Sequence, residues 1–455
     1  MFKRKNVDIV NGDLFKSIII YAIPIMFIKL IQSLFNSVDI IVLGNVADTN
    51  AVAAVGATGP IISLIVDTFF GISAGARIVL ARLVGEGSVM RVKKTVSTSL
   101  ITATALGTVI AIVGIVFAEW FLVVSKCPAE CFAGAKIYVQ LYVAAAPAIL
   151  IYNFGTAVLN VSGDTRRPLY YMMISGLVNV ILNVILCLVL PQKVAAVAIA
   201  TAVSQILGAF LIMRRVCTMD GICRFSFKEI YFSKSAFRKI MYNGIPIGIT
   251  HAFYPFSNLQ IQSQINALGP AVMAGSTAMA NLEGIVSAIV SAPYSMAASV
   301  FAGQNLGAKK NDRVKKSIIY CLGISVGLGI VLAILSIWFT KPLAALYVAG
   351  DEAAVVAALI RRKYILGMYF IACFNGIMSA ILQAFGYSIF TTANTIFSVL
   401  LFRIFWTGVV YPSYQNFDCL CLCFTVSWTL TAIFNTAFFF YVYKFKFKKG
   451  KIKKM

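Results

Sequence analysis

Acidic residues and histidine are scarce in this chain. Sixteen Asp and Glu stand against 39 Lys and Arg, and there is one histidine in 455 residues. One imidazole argues against a metal site, which draws its ligands in clusters. No GxxxxGK[ST] stretch occurs, which excludes a phosphate-cradling nucleotide loop of that type. Charge of either sign makes up only 12% of the chain, against 60% hydrophobic residues and a mean hydropathy of +0.88. A soluble chain of this length would need far more polar surface, so the class is a polytopic membrane protein. No small-residue cleavage site closes the first apolar run, so no cleavable signal peptide is expected. The ten cysteines are scattered. Cys127 and Cys131 share an outer loop and could form a disulfide; small apolar packing is the reading for the rest.

The net charge of +23 would suggest nucleic acid in a soluble protein. Its distribution says otherwise. Of the 39 Lys and Arg, 28 fall in tails and loops on one side: 1–16, 85–94, 163–168, 214–239, 304–316 and 444–455. That asymmetry is the positive-inside signature. It places both termini and the basic loops on the cytoplasmic side, with the loops against an anionic leaflet. The run Arg361-Arg362-Lys363 falls on the other side and fits this rule poorly.

Two distant stretches, held at one constant offset, say nearly the same thing. Ala-Ile-Pro at 22–24 matches Gly-Ile-Pro at 244–246, and Asn36 falls on Asn258. ARLVGEGSVMRVKK at 81–94 matches GQNLGAKKNDRVKK at 303–316. The expected fold is all-α: twelve transmembrane helices in two pseudo-symmetric six-helix lobes, as a parallel repeat. The lobes span 1–213 and 241–443, joined by a basic cytoplasmic linker at 214–240 and followed by a basic tail at 444–455. Pro24 and Pro246 should distort the first helix of each lobe.

An ionisable residue within a span is costly and therefore a functional candidate. Asp39, Asp67 and Glu283 are the acids placed well inside spans. Asp39 lies roughly 7–8 Å along its helix from the outer end. Asn179 and Asn183 share a helix face, and Thr201 lies at a similar depth. Together these groups suit a hard-cation cage; the plainer alternative for Asp39 is a buried acid hydrogen-bonded across helices. Lys29 and Asp67 lie at similar depth on neighbouring helices, and an ion pair is expected. His251 falls on Lys29 at the same repeat offset and is a candidate proton carrier. Phe35, Tyr152, Tyr254 and Met279 are candidate cavity-wall residues. The depths of Arg77, Arg82 and Arg403 are not fixed by the pattern.

The motifs carry a family resemblance. GQNLGA at 303–308 and GDTRRP at 163–168 resemble the GQNLGA and GDTxxP signatures of the multidrug and toxic compound extrusion (MATE) family. Residues 24–44, with Asn36-x-x-Asp39, resemble its first span, and 198–205, ending at Gln205, its sixth. The resemblance covers the whole chain and leans toward the bacterial MepA/DinF-type branch. It implies a non-enzymatic, cofactor-free exporter of small, mostly cationic amphipathic compounds. Export would run by antiport with H+ or Na+ and alternating access, and a monomer suffices. It also implies ion coupling through Asp39, Asn36 and the span-5 residues, with Glu283 and Gln205 in the substrate cavity. Two departures are visible: Asn183 stands where many members carry a second Asp, and Tyr254 where the NorM-type branch carries an acid. A lipid-linked oligosaccharide flippase of the same superfamily is the alternative, for which several cavity cations would be expected.

Overall fold

A computed structural model describes residues 6–46, 49–125, 127–348 and 351–447; the side chains of 33–46, 49–53, 57, 60, 61, 346, 347 and 446 are not among those described. In the first half the helices are α1 (Leu14–Val46), α2 (Thr49–Gly85), α3 (Val89–Val124), α4 (Ala129–Ala144), α5 (Ala146–Val161), α6 (Arg166–Val189) and α7 (Lys193–Thr218). The second half holds α8 (Lys234–Ala267), α9 (Pro270–Val290), α10 (Ala292–Gly307), α11 (Asn311–Tyr347), α12 (Glu352–Arg361), α13 (Tyr369–Ala384), α14 (Ser388–Thr395), α15 (Phe402–Phe405), α16 (Tyr411–Tyr414) and α17 (Phe417–Val442). Short π-helical segments at Arg362–Leu366, Ile396–Leu401 and Trp406–Val410 continue α12, α14 and α15.

Among the described residues, ten stretches are long and apolar enough to cross a membrane. The pair α4–α5, bent by 44°, makes an eleventh. Pro147 explains the bend: it lacks the N–H that would bond back across Ala145. The twelfth expected span corresponds to α8, whose 34 residues reach about 51 Å. It carries Asn258, Gln260, Gln262, Gln264 and Asn266, which makes it too polar for a hydropathy test. The outward faces of α3 and α11 expose Val116, Trp120, Val331 and Trp338, as helices bathed in lipid do.

Packing divides the chain into two units, one of Met1–Asp8 with Phe27–Gly248 and the other of Ile9–Met26 with Ile249–Met455. This differs from a single cut in the linker. Helices α1 and α8 each contribute to both units, changing allegiance just after Pro24 and Pro246. The two changeovers are related by the offset of the sequence repeat.

Within the first unit the start of α8 lies against α2 through glycines spaced four apart. A Cβ on Gly75 would sit 2.4 Å from the Ile240 carbonyl oxygen, and one on Gly71 would sit 2.6 Å from the Gly248 Cα. Such backbone approach is how membrane helices gain van der Waals contact without a hydrophobic driving force. In the second unit the start of α1 packs Tyr21 edge-on against Phe301 of α10, centroids 5.5 Å apart.

The signature turns hold the N-terminal segment. In the first unit Gly163 adopts φ +81°, and its Cβ position would meet the Val7 carbonyl at 2.4 Å; only glycine allows both. Val7 N–H donates to the Gly163 carbonyl at 3.1 Å. Asp164 pairs with Arg167 and Arg215. In the second unit Asn305 and Arg313 donate to the Ile9 carbonyl, and Arg313 also to that of Gly12 at 2.8 Å. The two motifs that carried the resemblance are therefore structural clasps.

Candidate functional site

Each unit encloses a cavity, and the repeat-related helices build both. In the first unit α1, α2, α4, α5, α6 and α7 surround about 350 Å³. In the second, α8, α9, α12, α13, α15 and α17 surround about 340 Å³. Helices α3 and α11 contribute to neither wall.

The first cavity is lined by Lys29, Gln32, Asp67, Tyr138, Tyr152, Asn179, Thr201 and Gln205, among others. The expected meeting of α6 and α7 is present: Asn183 Nδ2 donates to Asn179 Oδ1, and Asn179 Nδ2 to Thr201 Oγ1, each at 3.3 Å. Thr201 in turn donates to the Val197 carbonyl at 3.0 Å. All three polar side chains are buried. This leaves an oxygen-rich relay at the cavity edge. Asp39, Asn36 and Phe35 lie on α1, but their side chains fall outside the described residues.

Lys29 and Asp67 share the cavity wall as expected, yet they form no direct ion pair among the described residues. The Lys29 ammonium lies over the Phe70 ring instead, 4.4 Å from its centroid. A cavity wall explains this: facing open space, each group can be solvated without contact with the other. Tyr152 donates to the Pro168 carbonyl at 3.4 Å.

The second cavity is lined by Tyr254, Asn258, Gln262, Glu283, Arg361, Tyr369, Arg403, Phe424 and Trp428, among others. Glu283 is engaged: Arg361 Nε and Nη2 donate to its two carboxylate oxygens at 2.8 and 2.7 Å. Arg361 Nη1 also donates to Ser276 Oγ at 2.9 Å. This bidentate pair is the strong form of a charged hydrogen bond. Arg361 is buried against Glu283, which corrects its expected place outside the membrane or in an outer interfacial helix. It ends α12 where the π-helical turn begins, and such wider turns re-aim side chains at functional positions. Arg403 sits on α15 between two further π-helical segments. Close approach sets the pairing: a Cβ on Gly275 would lie 2.0 Å from the Ala354 carbonyl, so α9 and α12 nearly touch.

Met279, expected in a cavity wall, is fully buried in an apolar cluster with Leu366, Tyr369 and Cys373. As an unbranched, polarizable side chain it fills the core between α9 and α13. His251 is half-buried on α8 and is not among the residues lining either cavity. Cys127 and Cys131 are both free thiols. Sequence reasoning missed Arg361 and left Arg403 unplaced. One signal was available: a cation that defied the positive-inside rule, and a mid-span Glu that needed a partner.

Two units of long apolar helices, each built around a cavity with charged and polar side chains in its lining, define a polytopic membrane protein of the transporter type. The MatE family model matches residues 24–185 and 246–407, so its two copies repeat at the offset that relates Pro24 to Pro246. The chain belongs to the MatE family. It is 24% identical over 402 residues to the probable multidrug resistance protein YoeA of Bacillus subtilis, covering 85% of each chain. It is likewise 24% identical over 303 residues to an FAD transporter of Shewanella oneidensis, covering 66% of this chain and 67% of that one. A solved outward-facing multidrug resistance MATE-family transporter of the MOP superfamily superposes with TM-score 0.87 at 19% identity, covering all of both chains.

Proposed function

We propose that this chain is a secondary active exporter of amphipathic small molecules, driven by H+ or Na+ entering the first unit. The observation that carries the reading is the first cavity. Its lining includes Lys29, Asp67, Asn179 and Thr201, and Asn183 donates to Asn179 from outside that lining. Carbonyl and hydroxyl oxygens beside a carboxylate suit a hard cation or a proton. Asp39 and Asn36 complete the proposed coupling set from α1. Aromatic residues and Gln205 on the same wall suit a flat lipophilic guest. Drug resistance is the named role of YoeA, and family membership extends that reading to small-molecule efflux here.

Helices α1 and α8 belong to both units, so any rearrangement of the units must carry or bend them. Pro24 and Pro246 remove a backbone hydrogen bond close to each changeover, which softens those points. That favours alternating access over a static channel. The flippase alternative would want several unneutralised cations in one cavity. Arg361 is neutralised by Glu283, which weakens it. We place the protein in the bacterial inner membrane as a monomer with cytoplasmic termini.

The test uses everted membrane vesicles with an imposed Na+ or pH gradient and a fluorescent amphipathic cation. One gradient should drive uptake, and Asp39→Asn or Asp67→Asn should reduce it at least about tenfold, as expected for loss of a functional intramembrane acid. Uptake unchanged in both variants would refute coupling through the first cavity.

A further inference from the structure

The second cavity contains two arginines and one acid among its described lining residues. Glu283 is committed to Arg361 through both carboxylate oxygens. Arg403 has no carboxylate partner among the described residues. Its Nη1 donates to Asn258 Oδ1 at 2.7 Å and its Nε to Ser427 Oγ at 3.3 Å, both neutral acceptors. The guanidinium lies 4.3 Å from the centroid of Phe424. Arg361 lies over the same ring at 5.5 Å, so Phe424 is shared by two cations. Arginine keeps its charge and offers five N–H donors in a planar fork. The Nη2 donors of Arg403 make no hydrogen bond among the described residues.

Depth sharpens the point. Arg403 is 1% exposed and lies near the middle of the Ser388–Tyr414 span, about 22 Å from its start. A cation held there by neutral partners is costly, and a counter-ion relieves the cost. The repeat gives no counterpart in the first unit: Arg403 falls on Ile181, Arg361 on Val139 and Glu283 on Ile61. The excess positive charge belongs to the second cavity alone.

We propose that the second cavity is an anion subsite that receives the carboxylate or phosphate of a planar aromatic compound. The free Nη2 edge of Arg403 donates to the oxyanion, the recognition for which a guanidinium is suited. Phe424 and Trp428, ring centroids 6.3 Å apart, pack against the aromatic body. Arg361 and Glu283 serve as a neutral brace beside Phe424. The site accepts a guest of charge opposite to that which the family resemblance implies.

Titration calorimetry on the full chain in lipid nanodiscs tests this, with 2-naphthoate, 1-naphthyl phosphate and neutral 2-naphthol as probes. The unmodified protein should bind both anions at least about tenfold more tightly than naphthol, the margin a charge-assisted hydrogen bond provides. Arg403→Gln should abolish that preference and Arg403→Lys should retain part of it. Glu283→Gln, which releases Arg361, should tighten naphthoate binding. Equal affinity for naphthol and naphthoate, or a folded Arg403→Gln protein that still prefers the anion, overturns the proposal. If Arg403→Gln does not fold, Arg403→Lys decides: a preference for naphthoate over naphthol undiminished from the unmodified protein overturns it. The readout is equilibrium binding without a gradient, so its failure is separable from failure of ion coupling in the first cavity.

Discussion

The two cavities occupy equivalent places in a duplicated scaffold and differ in what they hold. The first carries one ammonium and one carboxylate without a direct bridge between them, with a neutral relay of amides and a hydroxyl. The second locks its carboxylate into a bidentate bridge and leaves a second guanidinium with neutral partners. Repeat positions show how this arose: Asp67 falls on Ile289, and Asp39 on Ile261, which is fully buried in the second wall. The helix places are shared by both repeats, while the residues at equivalent positions set each cavity's charge. An acid that faces a cavity can exchange a proton or cation. One already held by two hydrogen bonds serves structure instead.

Breaking the bridge should have the largest effect on this contrast. Glu283→Ala strands Arg361 in a buried site and should cost about 3–5 kcal/mol. Thermal denaturation in detergent would show it as a large fall in Tm. The double variant Glu283→Leu with Arg361→Met should recover most of that loss, because a packed apolar pair replaces a buried ionic one at little cost. A double variant as unstable as the single would show that the bridge does more than neutralise charge.

The next test asks whether the scaffolds are equivalent. Gly75→Ala in the first unit and Gly275→Ala in the second each force a Cβ against backbone, at 2.4 and 2.0 Å from a carbonyl oxygen. Overpacking of this kind costs about 1–3 kcal/mol, and the two should lower Tm by similar amounts. A neutral Gly275→Ala would mean that α9 and α12 separate easily, and with them Glu283 and Arg361. The smallest effect is expected in the relay. Asn179→Ala removes two side-chain hydrogen bonds and should cost about 1 kcal/mol. Its signature should be weakened ion dependence of uptake in vesicles, with anion binding at the second cavity unchanged.

Much of the fold was legible from residues alone. Long apolar runs and one-sided basic loops fix a multi-span protein, because the bilayer demands continuous apolar helices. The constant-offset echo exposed the duplication. The contact of Asn179 with Asn183 and Thr201 followed from helical spacing and depth. Met279 was misread because an apolar residue in a span has no sequence mark that separates cavity wall from core. Arg361 was misread because charge near a span end defaults to a loop, and the partner that buries it lies 78 residues away.

The sequence by itself therefore determined class, duplication and family. These are set by local hydropathy, periodicity and spacing, which a linear chain displays. Only the tertiary structure decided which charges meet. Lys29 lies over Phe70 without a direct bridge to Asp67, Glu283 closes on Arg361, and Arg403 is left to Asn258, Ser427 and Phe424. Those outcomes depend on ångström-scale approaches between helices distant in sequence, which close backbone packing and π-helical turns set.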